Sequence, residues 1–282
     1  MSTMRTKLAL ALLGFAATAC NSQRIAPDES TSETASRVVS ISDVEWGPLN
    51  PARGKNGPKA ADLWGDRTHG GPTGFLVEFV DGFESPPHIH NVSYRGVVIS
   101  GLAHNDDPNA GEMWMPAGSY WTQPKGAVHI TSAKGRLNRA YIEIEDGPYL
   151  VHPVADEFQT DEVPINVDVS NLVWLDPQGA TVASGGAKVA YLWGDSANDQ
   201  LNGALIKLPS GFRGVLRSHG SSLRAVVIAG QPQYGQAGES RTLEPGSHFS
   251  SDGACAHRIS SGTECLLYLR ANGRFDLVSE QH

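Results

Sequence analysis

The chain has no run of basic residues. Its 282 residues carry 22 lysines and arginines against 30 aspartates and glutamates, a formal charge of −8. Nucleic-acid binding needs a positive footprint, so no nucleic-acid partner is expected. Cysteine is scarce, with three in all, which excludes a small fold stapled by several disulfides. No long segment repeats its apolar residues with the 3.6-residue period of an amphipathic helix. Glycine (31) and proline (17) are abundant, and hydrophobic residues reach 40%. A chain of this kind buries a core and turns sharply and often, as all-β domains do.

The N-terminus reads as a targeting segment. Arg5 and Lys7 precede the apolar run 8–19, which at twelve residues is too short to span a bilayer. It ends in "AATAC", placing Cys20 after small residues. This resembles a bacterial lipobox, although Ala17 stands where leucine is commonest. Residues 1–20 are accordingly expected to be a lipoprotein signal peptide, with Cys20 the lipidated residue. Asn21 follows where many inner-membrane lipoproteins carry aspartate, so the resemblance implies an outer-membrane anchor facing the periplasm. The alternative is a soluble exported protein. Residues 21–37 are polar and lack aromatics, which suits a flexible tether. Without Arg5 and Lys7, 20 basic residues remain against 30 acidic ones, so the lipid rather than charge would hold the membrane.

The rest of the chain repeats itself. "LWGD" occurs at 63–66 and 192–195, and "RGVVISG" at 95–101 answers "RAVVIAG" at 224–230, all at an offset of 129. Gly82 maps on Gly211 and His90 on His219 by the same offset, whereas Gly118 and His129 map on Gly246 and His257 at 128. Short runs such as "GFLVEFV" and "GALIKLP" are rich in strand-forming residues and bounded by Gly, Pro, Asn and Asp. Two copies of an all-β barrel or sandwich are expected, spanning 38–155 and 156–282.

Three histidines give the first copy its chemistry. In "GFESPPHIHNVSYRG", His88 and His90 stand two apart, so on a strand they face the same way. Downstream, "GSYWTQPKGAVH" places Gly118, Pro124, Gly126 and His129 at fixed spacings. Together with Gly82, Tyr94 and Gly101, these stretches resemble the two sequence motifs of the cupin superfamily. With the repeat, the chain resembles an exported two-domain cupin (a bicupin) of the kind described only as a domain of unknown function. The resemblance implies tandem jelly-roll barrels and one divalent metal held by His88, His90 and His129. Tyr94 stands where cupins usually carry a glutamate ligand, and Ala133 where asparagine is frequent. Three neutral imidazoles remain, as in the three-histidine subset of cupin dioxygenases. They suit Fe, Mn, Ni, Cu or Zn without choosing among them, and affinity is expected to collapse below about pH 6 as they protonate.

The other site residues are weaker candidates. Tyr94 is expected to project into the barrel, as a hydrogen-bonding group or as filling. Glu84, four residues before His88, is the candidate acid or base if Pro86-Pro87 preserves the alternation. Arg95 recurs as Arg224, so a role in the fold is expected. His69, His104, His152, His248 and His282 are expected in loops or on the surface, and Trp114 and Trp121 in core packing. In the second copy the 129 offset replaces His88 by Arg217 and Tyr94 by Leu223, leaving His219 and His257. An arginine has no lone pair to give, so this half is expected to be a scaffold or dimerisation domain, or an anion pocket of Arg217, His219 and His257. Cys255 and Cys265 flank the turn "RISSGT" out of direct opposition, and are expected to remain thiols. The resemblance implies a metal-dependent dioxygenase, isomerase, hydrolase or lyase acting on a small carboxylate, diketone or sugar acid. The alternative is a non-catalytic small-molecule binding or sensing lipoprotein of the cell envelope.

Overall fold

The apolar runs become strands covered on both faces, which is why they do not alternate. In the strand Thr73–Phe79, Phe75 and Val77 face the interior of the first half, while Leu76 faces the second half. The computed structural model describes residues 36–177, 185–196, 200–236 and 238–280. The signal segment, Cys20, His282 and nearly all of the expected tether lie outside them. Among the described residues the only helical segments are short 3-10 turns, none long and apolar enough to cross a membrane. The chain is all-β, in two tandem barrels.

The two halves use one topology. The long strands Tyr94–Asp106, Ile130–Ile144, Thr73–Phe79 and Lys59–Trp64 lie side by side in the first. Ser222–Ala229, Cys265–Asn272, Leu201–Leu208 and Lys188–Gly194 lie in the same order in the second. At one edge of each of these sheets the outermost strand comes from the other half. Ser36–Val39 pairs with His248–Ser251, and Ile165–Val167 pairs with Tyr120–Gln123. Strand pairing therefore crosses the expected division at 155/156 in both directions. Matching hydrogen bonds fasten the two crossings, Ile41 N–H to Ser247 Oγ at 3.1 Å and Val169 N–H to Ser119 Oγ at 3.1 Å.

Between the halves lies a shared apolar layer in which Leu76, Val97 and Tyr120 meet Leu205, Val226 and Leu266. At its centre Glu143, 1% exposed, accepts hydrogen bonds from Tyr141 at 3.2 Å and from Tyr268 of the other half at 2.9 Å. Each phenol oxygen is in turn fixed by an indole N–H, Trp64 on Tyr141 and Trp193 on Tyr268. Arg95 and Arg270 approach Glu143 at 3.7 and 4.0 Å, and both pair with Glu145. Arg95 also lies 3.8 Å over Trp193 of the other half, so its role is in the fold, as expected. The indoles reach this position because Gly74 and Gly203 lie beneath them. A Cβ at Gly74 would come within 2.2 Å of Trp64, and one at Gly203 within 2.0 Å of Trp193.

Several residues differ from their expected surroundings. His104 and His248 are buried in strands rather than exposed, and neither ring nitrogen of His248 has a hydrogen-bond partner. Its ring is held neutral, with burial lowering its pKa to about 3. Cys255 and Cys265 belong to different sheets, and Cys265 keeps its thiol, directed at the Thr263 carbonyl. The turn between them steps from one sheet to the other, so no bridge forms.

Replacing Glu143 with alanine removes the acceptor shared by both buried tyrosines and leaves Arg95 and Arg270 with Glu145 as their one remaining acid. The expected loss is about 3–5 kcal/mol of stability, read as a shift in the urea midpoint of the full chain. A loss below about 1 kcal/mol, the level of a surface pair, would place the hold between the halves elsewhere.

Candidate metal centre

The two prolines build the site. In the strand Phe83–Glu84 and the residue after it, Phe83 and Ser85 are buried and Glu84 is exposed. Regular alternation would turn His88 outward with Glu84. Pro86 and Pro87 instead break the strand, both exposed, and His88 re-enters facing inward. Glu84 is therefore outside the cavity and is not the acid or base that the spacing suggested. His88 then pairs with His129 through two backbone hydrogen bonds of 3.1 and 3.0 Å, while His90 sits in a short strand paired with Val151–His152.

His88, His90 and His129 converge. They are 8%, 2% and 1% exposed, and one ring nitrogen of each lies within 4.8 Å of the others. Each Nδ1 faces a backbone carbonyl: Pro86 at 2.9 Å for His88, Leu150 at 2.9 Å for His90, and Ala127 at 3.3 Å for His129. A carbonyl can only accept, so each Nδ1 carries the proton and each Nε2 keeps its lone pair. Such second contacts orient metal-binding imidazoles and make them better donors. Burial depresses all three, His90 strongly and His129 to about 3, and the neighbouring imidazoles add to it for His90 and His129. Each ring is thus held neutral to lower pH than a free imidazole. Three neutral, oriented imidazoles with open positions fit a divalent ion of the borderline class.

Tyr94 reaches the site, but its proton is committed. Its hydroxyl donates to Asn105 Oδ1 at 2.9 Å and its oxygen lies 3.4 Å from His129 Nε2. Asn105 also accepts from Thr131 and donates to Gln123, whose amide is tied to the Ala127 carbonyl. Burial pushes the Tyr94 phenol well above its ordinary value, so it stays a neutral donor to an amide. Three further residues complete the site. Tyr149 stacks on His90 at 4.4 Å with its hydroxyl 3.1 Å from Nε2. Asn105 orients Tyr94, and Arg53 lines the cavity mouth. None belongs to a motif, and only proximity in the fold identifies them. Trp121 packs in the core while presenting an edge to the cavity, and Trp114 instead lies under Lys134. The space enclosed by the cavity's lining residues, open solvent at the mouth included, is about 550 Å³.

Among the described residues the second half holds no counterpart. His88 faces His129, but its place opposite His257 is taken by Leu216. The second copy lacks the proline pair, so the true offset here is 128, and Leu216 and Ser218 replace the two histidines. Arg217 is exposed on the other face of the strand, and His219 turns outward to Asp276 at 2.6 Å. His257 is buried between Tyr234 and Ser251. The expected anion pocket of Arg217, His219 and His257 is thus not assembled. Leu223, in place of Tyr94, is fully buried in an apolar interior with Leu216 and Phe249.

Comparisons with known proteins agree with this architecture. The sequence profile described as domain of unknown function DUF4437 matches residues 37–278. A search of curated proteins returned no significant match. Among solved structures, a protein of Nostoc punctiforme PCC 73102 described as a candidate dioxygenase superposes with a TM-score of 0.64 at 16% identity, covering 92% of this chain and 90% of its own. Salicylate 1,2-dioxygenase from Pseudaminobacter salicylatoxidans gives 0.54 at 14% identity, over 88% and 87% of the two chains. Oxalate decarboxylase from Bacillus subtilis gives 0.54 at 14% identity, over 89% and 80%. These likenesses show the fold, the cupin jelly roll.

The depressed imidazoles make the metal-free protein sensitive to acid. Below about pH 6.5 the unfolded chain takes up protons that the native site refuses, so stability falls as pH drops toward the folded values. For each such histidine the slope is ~1.4 kcal/mol per pH unit. Urea midpoints in chelator between pH 7 and 5 should show it, and His129→Gln should flatten the slope by one proton. An unchanged slope would mean His129 is not held neutral.

Proposed function

The chain belongs to the DUF4437 family, and for this member we propose a bicupin with one divalent metal on His88, His90 and His129, acting as a metal-dependent enzyme on a small organic molecule. One observation carries this reading: three buried imidazoles whose Nδ1 atoms all face backbone carbonyls, and which each bring a ring nitrogen within 4.8 Å of the others. A core histidine needs partners, not a shared focus.

The metal, when bound, supplies Lewis-acid polarisation and, if redox-active, chemistry with oxygen. The chain's own residues do the rest. The aromatic walls exclude water. Tyr149, against His90, and Tyr94, held by Asn105, fix the rings from either side. Among the described lining residues there is no carboxylate, which withdraws support from isomerase or lyase mechanisms that need a positioned base. Dioxygenation, the activity in the name of salicylate 1,2-dioxygenase, is the reaction class that best suits a site without a base. The missing base also favours the second reading, ligand binding without turnover. The second half serves as the scaffold that completes the first. We further propose export and attachment through Cys20 to the periplasmic face of the outer membrane, which the lipobox-like "AATAC" supports.

Metal analysis of the purified protein should give one ion per chain, and His129→Ala should lose most of it. Two ions per chain, or full occupancy in the variant, would refute the site. Oxygen uptake by the iron-loaded protein with a panel of small acids and diketones separates the readings, since firmly held metal with no turnover on any of them leaves a binding protein.

A further inference from the structure

The three substrate classes open to this site demand different walls, and the cavity meets only one of the demands. A sugar acid presents hydroxyls that need partners, because a buried polar group left unpaired costs more than its bond returns. The cavity has little to offer them. Thr131 and Tyr94 donate to Asn105, Tyr149 lies on His90, and Ser85 accepts from the Thr131 backbone. The remaining surface is chiefly Phe79, Phe83, Val77, Ile142 and the Trp121 ring, with Asn50 and the unpartnered Trp121 indole N–H as its other polar groups.

Against these apolar walls stands a single cation. Arg53 lies in the 3-10 segment Pro51–Asn56, its guanidinium 5.9 Å from the centre of the Phe83 ring. No carboxylate among the described residues lies within ion-pair distance of it, and none lines the cavity. The arginines of the seam, by contrast, are all paired with acids. A half-buried guanidinium at a mouth with no anionic neighbour sets up a positive potential that only an incoming anion satisfies. A neutral diketone would leave it unmatched.

We propose that Arg53 is the anion-recognising residue of this cavity, and that the ligand is a monocarboxylic acid with a compact aromatic or apolar body. The carboxylate meets the guanidinium, which binds it in bidentate fashion, while the body lies against Phe79, Phe83 and Trp121. This deepens the proposed function and rests on the same cavity.

The test is calorimetric titration of the full chain, as purified, with benzoate, benzamide, gluconate and acetylacetone. Benzoate should bind at least about tenfold more tightly than each of the others. Arg53→Gln should weaken benzoate about tenfold or more while leaving benzamide within about twofold, and Arg53→Lys should retain part of the preference. Equal affinity for benzoate and benzamide overturns the proposal. So does undiminished benzoate binding by Arg53→Gln, which would place the carboxylate on the metal alone, and so does the absence of benzoate binding at millimolar concentration. Metal content measured on the same samples keeps the two readings apart. One ion per chain without a benzoate preference defeats the role of Arg53 alone. A benzoate preference that vanishes in Arg53→Gln, in protein without metal, supports Arg53 and defeats the metal centre.

Discussion

A carboxylate with no access to water holds the two halves together. Glu143 receives one phenol from each half, and each phenol is pinned by a tryptophan of its own half. The arrangement is nearly two-fold symmetric except at its centre. Tyr141 answers Tyr268 and Trp64 answers Trp193, but the position of Glu143 is answered by Arg270. Two carboxylates there would repel across a dry seam, and two arginines would do the same. Opposite charges at corresponding positions turn a symmetric clash into an attraction. The rest of the structure depends on it, because Glu143 lies in the strand Ile130–Ile144, which begins immediately after His129 and backs the cavity.

The same logic of near-symmetry with one local break produces the site. Both halves share strand order, turns and the buried histidine at the end of the second motif. What differs is one residue of chain length before the first motif's histidines. In the first half the proline pair takes up that residue, and two imidazoles turn inward around a cavity. In the second, the strand Arg213–Ser218 alternates without interruption, Leu216 fills the interior and the charged residues point to solvent. One half has space and ligands; the other has a packed core and stability.

What was legible in the sequence follows from this. The strands were readable because their composition reflects burial on both faces, and the repeat because Trp64, Trp193 and the glycines beneath them are constrained jointly. The three histidines were readable because motif spacing fixes which way a strand residue faces. Glu84 and Arg217 were misplaced for a common reason: strand parity is a local count, and a shift of one residue reverses it. Arg53, Asn105 and Tyr149 left no signal, since loops and distant strands bring them to the cavity. His104 and His248 are buried by position in their strands, against the usual preference of histidine.

The exchanged outer strands also bear on the order in which the molecule can be completed. Ile41 and Ser247 are 206 residues apart in sequence, yet the Ser36–Val39 strand has its pairing partner only beside Ser247. A chain emerging from its N-terminus presents that strand about 200 residues before its partner. The first barrel likewise lacks its edge until residues 165–167 appear. Neither half can therefore finish as an independent unit during synthesis, and its completion is a closure over a long stretch of chain. A truncation that spares every residue of the metal centre but removes the C-terminal barrel would leave Ser36–Val39 an unpaired edge, ready to join a strand of another molecule.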